Sequence, residues 1–241
     1  MIEIHHLTKR YGETTAVNNL NLTVQAGEIF GFIGPNGAGK TTTIRIIGGV
    51  LSPTEGSVTV AGISLASEPV KAKREIGFIP DRPYLYEKLT GMEFMKFSAA
   101  LYGVDESRFF PKAKDLLETF SLWDWSGELI EAYSHGMKQR LIIAAALLHD
   151  PRVLIVDEPM VGLDPAGIRL VKTTLRKLAD GGTTVFMSTH TLSIAEDICD
   201  RIGIIHAGLA AIRLPNTPTD NPRIRMERNQ NLLLFILFFL Y

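Results

Sequence analysis

The chain has 241 residues, 46% hydrophobic and 21% charged, with a formal net charge of −1. That length and composition require a packed core, either one large α/β domain or a core domain carrying an insertion, and the near-zero charge excludes a broadly basic nucleic-acid binder, so no nucleic-acid partner is expected. The one cysteine, Cys199, excludes an intrachain disulfide and reads as a small buried thiol in a reducing compartment.

The N-terminal MIEIHHLTKRYG shows no secretory pattern, because charges and histidines interrupt any apolar stretch. Short strands are predicted at Ile2–Leu7, Leu20–Val24 and Glu28–Ile33, punctuated by Gly12 and Gly27. Gly-rich residues 34–39 lead into a helix over Lys40–Ile47, and strands follow at Val58–Val60 and Ile76–Ile79. The character changes over 83–149. Thr90 and Glu93 form a capping box for a helix toward Leu101, and a second helix is predicted over Lys112–Phe120. Trp123 and Trp125 read as packing anchors of a helical subdomain.

AYSHGMKQRLIIAAALLH, residues 132–149, places Ser134 and Gly136 before an apolar run from Leu141 to Leu148. Alone it reads either as a capped, buried helix or as a helix start that binds an anion. After residue 150 strands and helices alternate: a strand at 153–156, a helix at Pro165–Ala179, a strand at 183–188, a helix at Thr191–Cys199 and a strand at 201–206. This alternation predicts a mostly parallel sheet covered on its faces, with the helical stretch inserted into it. The expected division is a discontinuous core of 1–82 and 150–212, a helical subdomain of 83–149 and a tail of 213–241.

GPNGAGKT, residues 34–41, fits the phosphate-binding P-loop and sits between a predicted strand and a predicted helix, as that motif requires. Gly34, Gly37 and Gly39, with Pro35, Asn36 and Ala38 between them, let backbone N–H groups face phosphate oxygens, and the helix start at Lys40, Thr41 and Thr42 adds its dipole. Lys40 is expected on the β- and γ-phosphates of a nucleotide and Thr41 on Mg²⁺. VLIVDEP, 153–159, ends an apolar strand on two acids. Asp157 is the expected second Mg²⁺ group, through a water, and Glu158 the general base for an attacking water. His190 follows the strand TTVFMST and is placed to reach the γ-phosphate.

Together these residues resemble the nucleotide-binding subunit of ATP-binding cassette (ABC) transporters, from Ile2 to about Ile212. The resemblance implies a P-loop NTPase core with a mostly parallel sheet, an N-terminal antiparallel β portion and an inserted α-helical subdomain. It implies an ATPase that powers a separate transmembrane permease from the cytoplasmic face of the membrane, as a peripheral protein. In that family the signature motif is usually LSGGQ; here it reads Tyr133-Ser134-His135-Gly136-Met137. Family members bind two ATP molecules between two subunits placed head to tail, so Ser134 and Gly136 are expected to contact the γ-phosphate held by the other subunit. Gly136 would then leave room for that phosphate to approach the backbone.

Other positions carry over singly. Tyr11 matches the aromatic that stacks on adenine, and Asp164, in GLDP, matches the D-loop near the dimer interface. Asp81 stands where the family usually has Gln, which implies a modified coupling role, with Mg²⁺ or Arg82 offsetting its charge. PYLYEKLTGMEFMKFSAALYG resembles the helical subdomain of the drug- and antibiotic-export branch. The competing class, a soluble cassette ATPase acting on ribosomes or DNA, is opposed by the presence of one cassette and by only about ninety residues, without sustained heptads, between P-loop and signature. A third reading is a subunit that binds ATP without coupled transport because its tail is altered.

The tail departs from the family. Pro215, Pro218 and Pro222 favour an extended linker, and the final run Leu232–Tyr241 is wholly apolar. As a helix that run would span ~15 Å, half of a bilayer core. It reads either as a segment docking on the permease or membrane interface, or as an altered reading frame; the lack of a polar face favours the second.

Overall fold

A computed structural model describes residues 1–81 and 84–213. Arg82 and the expectations attached to the tail beyond Arg213 lie outside the described residues. Strands β1 (Ile2–Tyr11), β2 (Thr14–Val24), β4 (Glu55–Val60) and β5 (Ile63–Ser64) form an antiparallel sheet in the order β2-β1-β4-β5. Strands β3 (Ile29–Ile33), β6 (Ile76–Ile79), β7 (Val153–Asp157), β8 (Thr184–Thr189), β9 (Arg201–His206) and β10 (Leu209–Arg213) form the second sheet, in the order β10-β9-β3-β8-β7-β6. Every pairing in it is parallel except that of β10 with β9.

The central strands are buried on both faces, which is why they read as apolar runs without alternation. Alternate residues nevertheless serve two cores. Phe30, Phe32, Val153, Ile155 and Phe186 face the antiparallel sheet and helix α1 (Lys40–Ile47). The rings of Phe30 and Phe32 each lie 5.5 Å from that of Phe186. Ile29, Ile33, Leu154, Val156, Val185 and Met187 face the helices on the other side. Helix α6 (Pro165–Asp180) presents Gly167, Val171, Leu175 and Ala179 to that core, one residue per turn.

Helix α2 (Pro69–Arg74) precedes β6. Helices α3 (Gly91–Tyr102), α4 (Glu106–Thr119) and α5 (His135–Ala146) lie between β6 and β7, and α7 (Leu192–Ile198) follows β8. The predicted capping box of α3 is present, with Thr90 N–H donating to Glu93 Oε2 at 2.8 Å and Glu93 N–H to Thr90 Oγ1 at 3.1 Å. Helix α4 begins six residues before its predicted start. Pro111 occupies an exposed position inside the helix, and Asp105 caps the start through Ser107 N–H.

β1 and β2 are longer than predicted. Their added parts are mostly polar, with only Thr8 and Val17 buried, and the pairing is irregular between Ile4 and Arg10, with His6 and Asn19 at φ 51° and 50°. Trp123 is half-buried against Phe110, as a packing anchor should be. Trp125 is not an anchor of this kind: it is largely exposed, edge-on to Tyr133.

Candidate functional site

The register of the parallel sheet sets the site. Phe32 of β3 and Asp157 of β7 both pair with Ser188 of β8, so the three strands end level with one another. The P-loop leaves β3 one residue beyond this row, Glu158 leaves β7, and His190 leaves β8. Ile79 of β6 pairs with Val156, which brings Asp81 level with Glu158 along the same edge. Ligand groups gather at the carboxyl ends of parallel strands for this reason.

The P-loop is held by close backbone approaches. A Cβ on Gly34 would sit 2.2 Å from the Ile205 carbonyl oxygen, and one on Gly39 2.3 Å from that of Ala16, with Gly39 at φ 111°. Gly39 caps α1 without a side-chain partner for the first turn, so those N–H groups remain available to an anion. Lys40 is buried and folds over the loop, its Nζ donating to the carbonyls of Gly34 at 2.6 Å and Pro35 at 3.1 Å. An ammonium has three protons, so one is left for a phosphate oxygen. Pro35, Asn36, Gly37, Ala38, Thr41 and Thr42 complete the loop and first turn.

Asp157 is 5% exposed and accepts a hydrogen bond on Oδ1 from Ser188 Oγ. Burial pushes its carboxyl above the ordinary range. The Ser188 bond opposes this, the negative charges of Asp81 and Glu158 add to it, and Lys40 opposes it. A buried carboxylate with one oxygen held and its charge disfavoured fits a divalent cation, with Thr41 offering an exposed hydroxyl from the P-loop side. Ser188 was not singled out from sequence; its only signal is a small polar residue inside an apolar strand.

Glu158 occupies the left-handed region at φ 51°, uncommon for a non-glycine residue and concentrated at functional sites. Its carboxylate, 14% exposed, lies with Oε1 2.8 Å from His190 Nδ1. Tyr11 is 50% exposed at the end of β1, with Lys9 Nζ 5.3 Å from its ring centre. Its ring therefore offers a stacking surface and does not belong to the core.

Ser134, Gly136 and Asp164 form a second locus. Ser134 caps α5, its Oγ accepting from Met137 N–H at 3.3 Å. A Cβ on Gly136 would meet nothing nearer than the Gly162 carbonyl oxygen at 3.6 Å, so packing within the chain does not demand a glycine there. Asp164 caps α6, its Oδ1 accepting from Gly167 N–H at 2.9 Å. Its side chain thus has a structural task that sequence reading did not assign.

Residues 17–161 match the ABC transporter family. The chain belongs to that family. It is 39% identical to the linearmycin resistance ATP-binding protein LnrL of Bacillus subtilis (strain 168) over 208 residues, covering 86% of this chain and 67% of that protein. It is 43% identical to the bacitracin transport ATP-binding protein BcrA of Enterococcus faecalis over 209 residues, with the same coverages of 86% and 67%. Among solved structures it is similar to a dimeric bacterial ABC transporter cassette, with a TM-score of 0.83, 28% identity, and 90% and 100% of the two chains covered. This ABC protein has the P-loop NTPase fold and is an ATPase, the ATP-binding subunit that powers a transporter.

Proposed function

We propose that this subunit hydrolyses ATP with Mg²⁺ at the sheet edge just described, as a head-to-tail dimer, and that hydrolysis drives export through a separate membrane permease. The observation that carries the hydrolytic part is the contact of Glu158 with His190 beside the buried Asp157. Glu158 takes the proton from the attacking water, and the His190 Nδ1–H keeps its carboxylate oriented. Lys40 and the N–H groups opening α1 hold the phosphates, His190 approaches the γ-phosphate, and Tyr11 stacks on the adenine. Thr41 and Asp157 would hold Mg²⁺, which when bound offsets the negative charge of the β- and γ-phosphates.

Two observations support the dimer. Gly136 is not required by its own chain, which leaves room at the start of α5 for a ligand from outside. The similar solved cassette is dimeric. Export is supported by the relatives' names, one a bacitracin transport and one a linearmycin resistance ATP-binding protein. No helix among the described residues is long and apolar enough to cross a membrane. The relatives are named as ATP-binding proteins of transport and resistance, which supports a permease on a separate chain, with this subunit peripheral at the cytoplasmic face. Tyr84, Tyr86, Phe97 and Leu101 are exposed, and Tyr86 packs edge-on against Phe97. This apolar strip begins three residues after Asp81 and suits docking of the permease, with Asp81 linking it to the metal site.

The test is reconstitution. The full chain is purified with the membrane protein that accompanies it and placed in vesicles, and ATP-driven movement of bacitracin is measured. Movement that depends on ATP and disappears with Glu158→Gln is expected. ATPase activity indifferent to the membrane protein but raised by ribosomes or DNA would overturn the export reading.

A further inference from the structure

The first turn of α5 does not stand free of the loop that carries the general base. His135 lays the edge of its imidazole over the backbone of Gly162. A Cβ on Gly162 would come within 2.1 Å of His135 Cδ2 and 2.5 Å of Nε2. Gly162 also sits at φ 76°, so glycine is required there both by the backbone and by the ring.

The loop holding Gly162 is wound back on Glu158. Val161 N–H donates to the Glu158 carbonyl at 3.2 Å, and Leu163 N–H to that of Met160 at 3.4 Å. Asp164 fixes the far end of the loop by capping α6. A continuous path of bonded and packed groups therefore runs from Ser134 through His135 and Gly162 to Glu158. His135 is one of the positions at which this chain departs from the usual signature sequence. The glycine that usually stands there could not make this contact.

We propose that His135 is a positioning residue that ties the start of α5 to the loop after Glu158 within one chain. The inference rests on the dimer reading. In that dimer Ser134 serves the nucleotide of the partner subunit, while Glu158 serves the nucleotide of its own chain. His135 then makes the placement of one depend on the placement of the other. It acts by packing, as a flat ring against a backbone without Cβ. Removing the ring lets helix and loop shift independently, and a small misplacement of a catalytic group costs up to ~100-fold in rate.

The test uses the full chain with ATP. In His135→Ser, a residue suited to a helix N-terminus, ATP affinity should stay within about twofold while kcat falls about tenfold. His135→Phe keeps a flat ring and should restore kcat to within about threefold of wild type. Gly162→Ala places a methyl in the position of the ring, so its effect on kcat should be larger with His135 present than in His135→Ser. The cycle subtracts the backbone strain common to both. Unchanged kcat in His135→Ser, a Phe variant as impaired as the Ser variant, or additive effects of the two changes would each overturn the proposal. Size-exclusion of Glu158→Gln with ATP separates the two layers. Absence of an ATP-dependent dimer overturns the dimer reading and this inference together. A dimer that forms, with kcat indifferent to His135, overturns the inference alone.

Discussion

His190 Nδ1 and Glu158 Oε1 lie 2.8 Å apart, although the residues are separated by 32 positions in the chain. The contact exists because β7 and β8 are adjacent and in register, so the residues that follow them emerge side by side. A carboxylate only accepts hydrogen bonds, so an ionised Glu158 assigns the shared proton to His190 Nδ1.

Glu158→Gln tests the role of the pair. The amide oxygen can still accept from His190 Nδ1–H, so the geometry is kept and only the base is lost. ATP affinity should be unchanged and phosphate release should fall at least ~100-fold. Turnover close to wild type would remove Glu158 from the role of base.

Lys40→Ala should act on binding. It removes a charge-assisted contact to the phosphates and also the two bonds that Nζ gives to Gly34 and Pro35. Charge-assisted bonds are worth about 1.5–3 kcal/mol, so ATP affinity should fall ~10- to 100-fold. Equilibrium titration with ATP reads this directly, and unchanged affinity would contradict the P-loop assignment.

Asp157→Asn should have opposite effects on function and on stability. Burial raises the carboxyl of Asp157, so the folded chain holds that proton more tightly than the unfolded chain does. The cost of the buried charge is absent at low pH, appears as pH rises through the carboxylate range, and is fully present at neutral pH. Asparagine keeps an acceptor for Ser188 Oγ without the charge. In the absence of nucleotide and Mg²⁺ its Tm at pH 7 should exceed that of the wild type, and the advantage should shrink on acidification. Mg²⁺-dependent hydrolysis should be lost. A lower Tm than wild type at pH 7 would show that the charge is already compensated within the chain.

Much of this site was legible in the sequence, because its elements carry strong local signals. The P-loop is defined by glycines that the backbone requires, and strands β3, β7 and β8 by apolar runs of strand length. Other parts were not legible. The first half of β2 is polar apart from Ala16 and Val17, so no hydrophobic alternation marks it, and Pro111 lies on the exposed face of α4, where the Ser107 carbonyl left without its N–H partner can meet water. The contact of His135 with Gly162 joins residues 27 positions apart in sequence, through the packing of α5 against the loop before α6. Neither residue type announces it. Asp164 was read for its place in a motif, while its cap on α6 follows from Pro165 and Gly167 beside it.

Cys199 should be inert. It is 6% exposed and packs on Gly31, where a Cβ would lie 2.7 Å from its Sγ. Burial pushes the thiol up to about 12, with the charge of Asp200 adding to the effect. The thiolate is the reactive form, so N-ethylmaleimide at pH 7.5 should leave the folded chain unlabelled and label it fully in urea. Rapid native labelling would mean that α7 opens from the sheet.

Ser134 should act across the dimer. Ser134→Asp is the informative change, because Asp also caps α5 while its charge repels an approaching phosphate. Two differently tagged chains, both carrying Glu158→Gln to trap nucleotide, allow two mixed dimers to be isolated. In the first, one subunit carries Ser134→Asp and the other Lys40→Ala. If Ser134 meets the partner's nucleotide, both lesions fall in one composite site and the other site is intact, so the dimer should retain one tightly held ATP. In the second, one subunit carries both changes and its partner neither. Each composite site is then damaged once, and tightly held ATP should be lost. If Ser134 instead served the P-loop of its own chain, the result would reverse. The first dimer would have a lesion at each site, and the second would keep one site whole. Counting retained ATP per dimer after rapid desalting separates the two arrangements, and equal retention in both mixtures would refute action in trans.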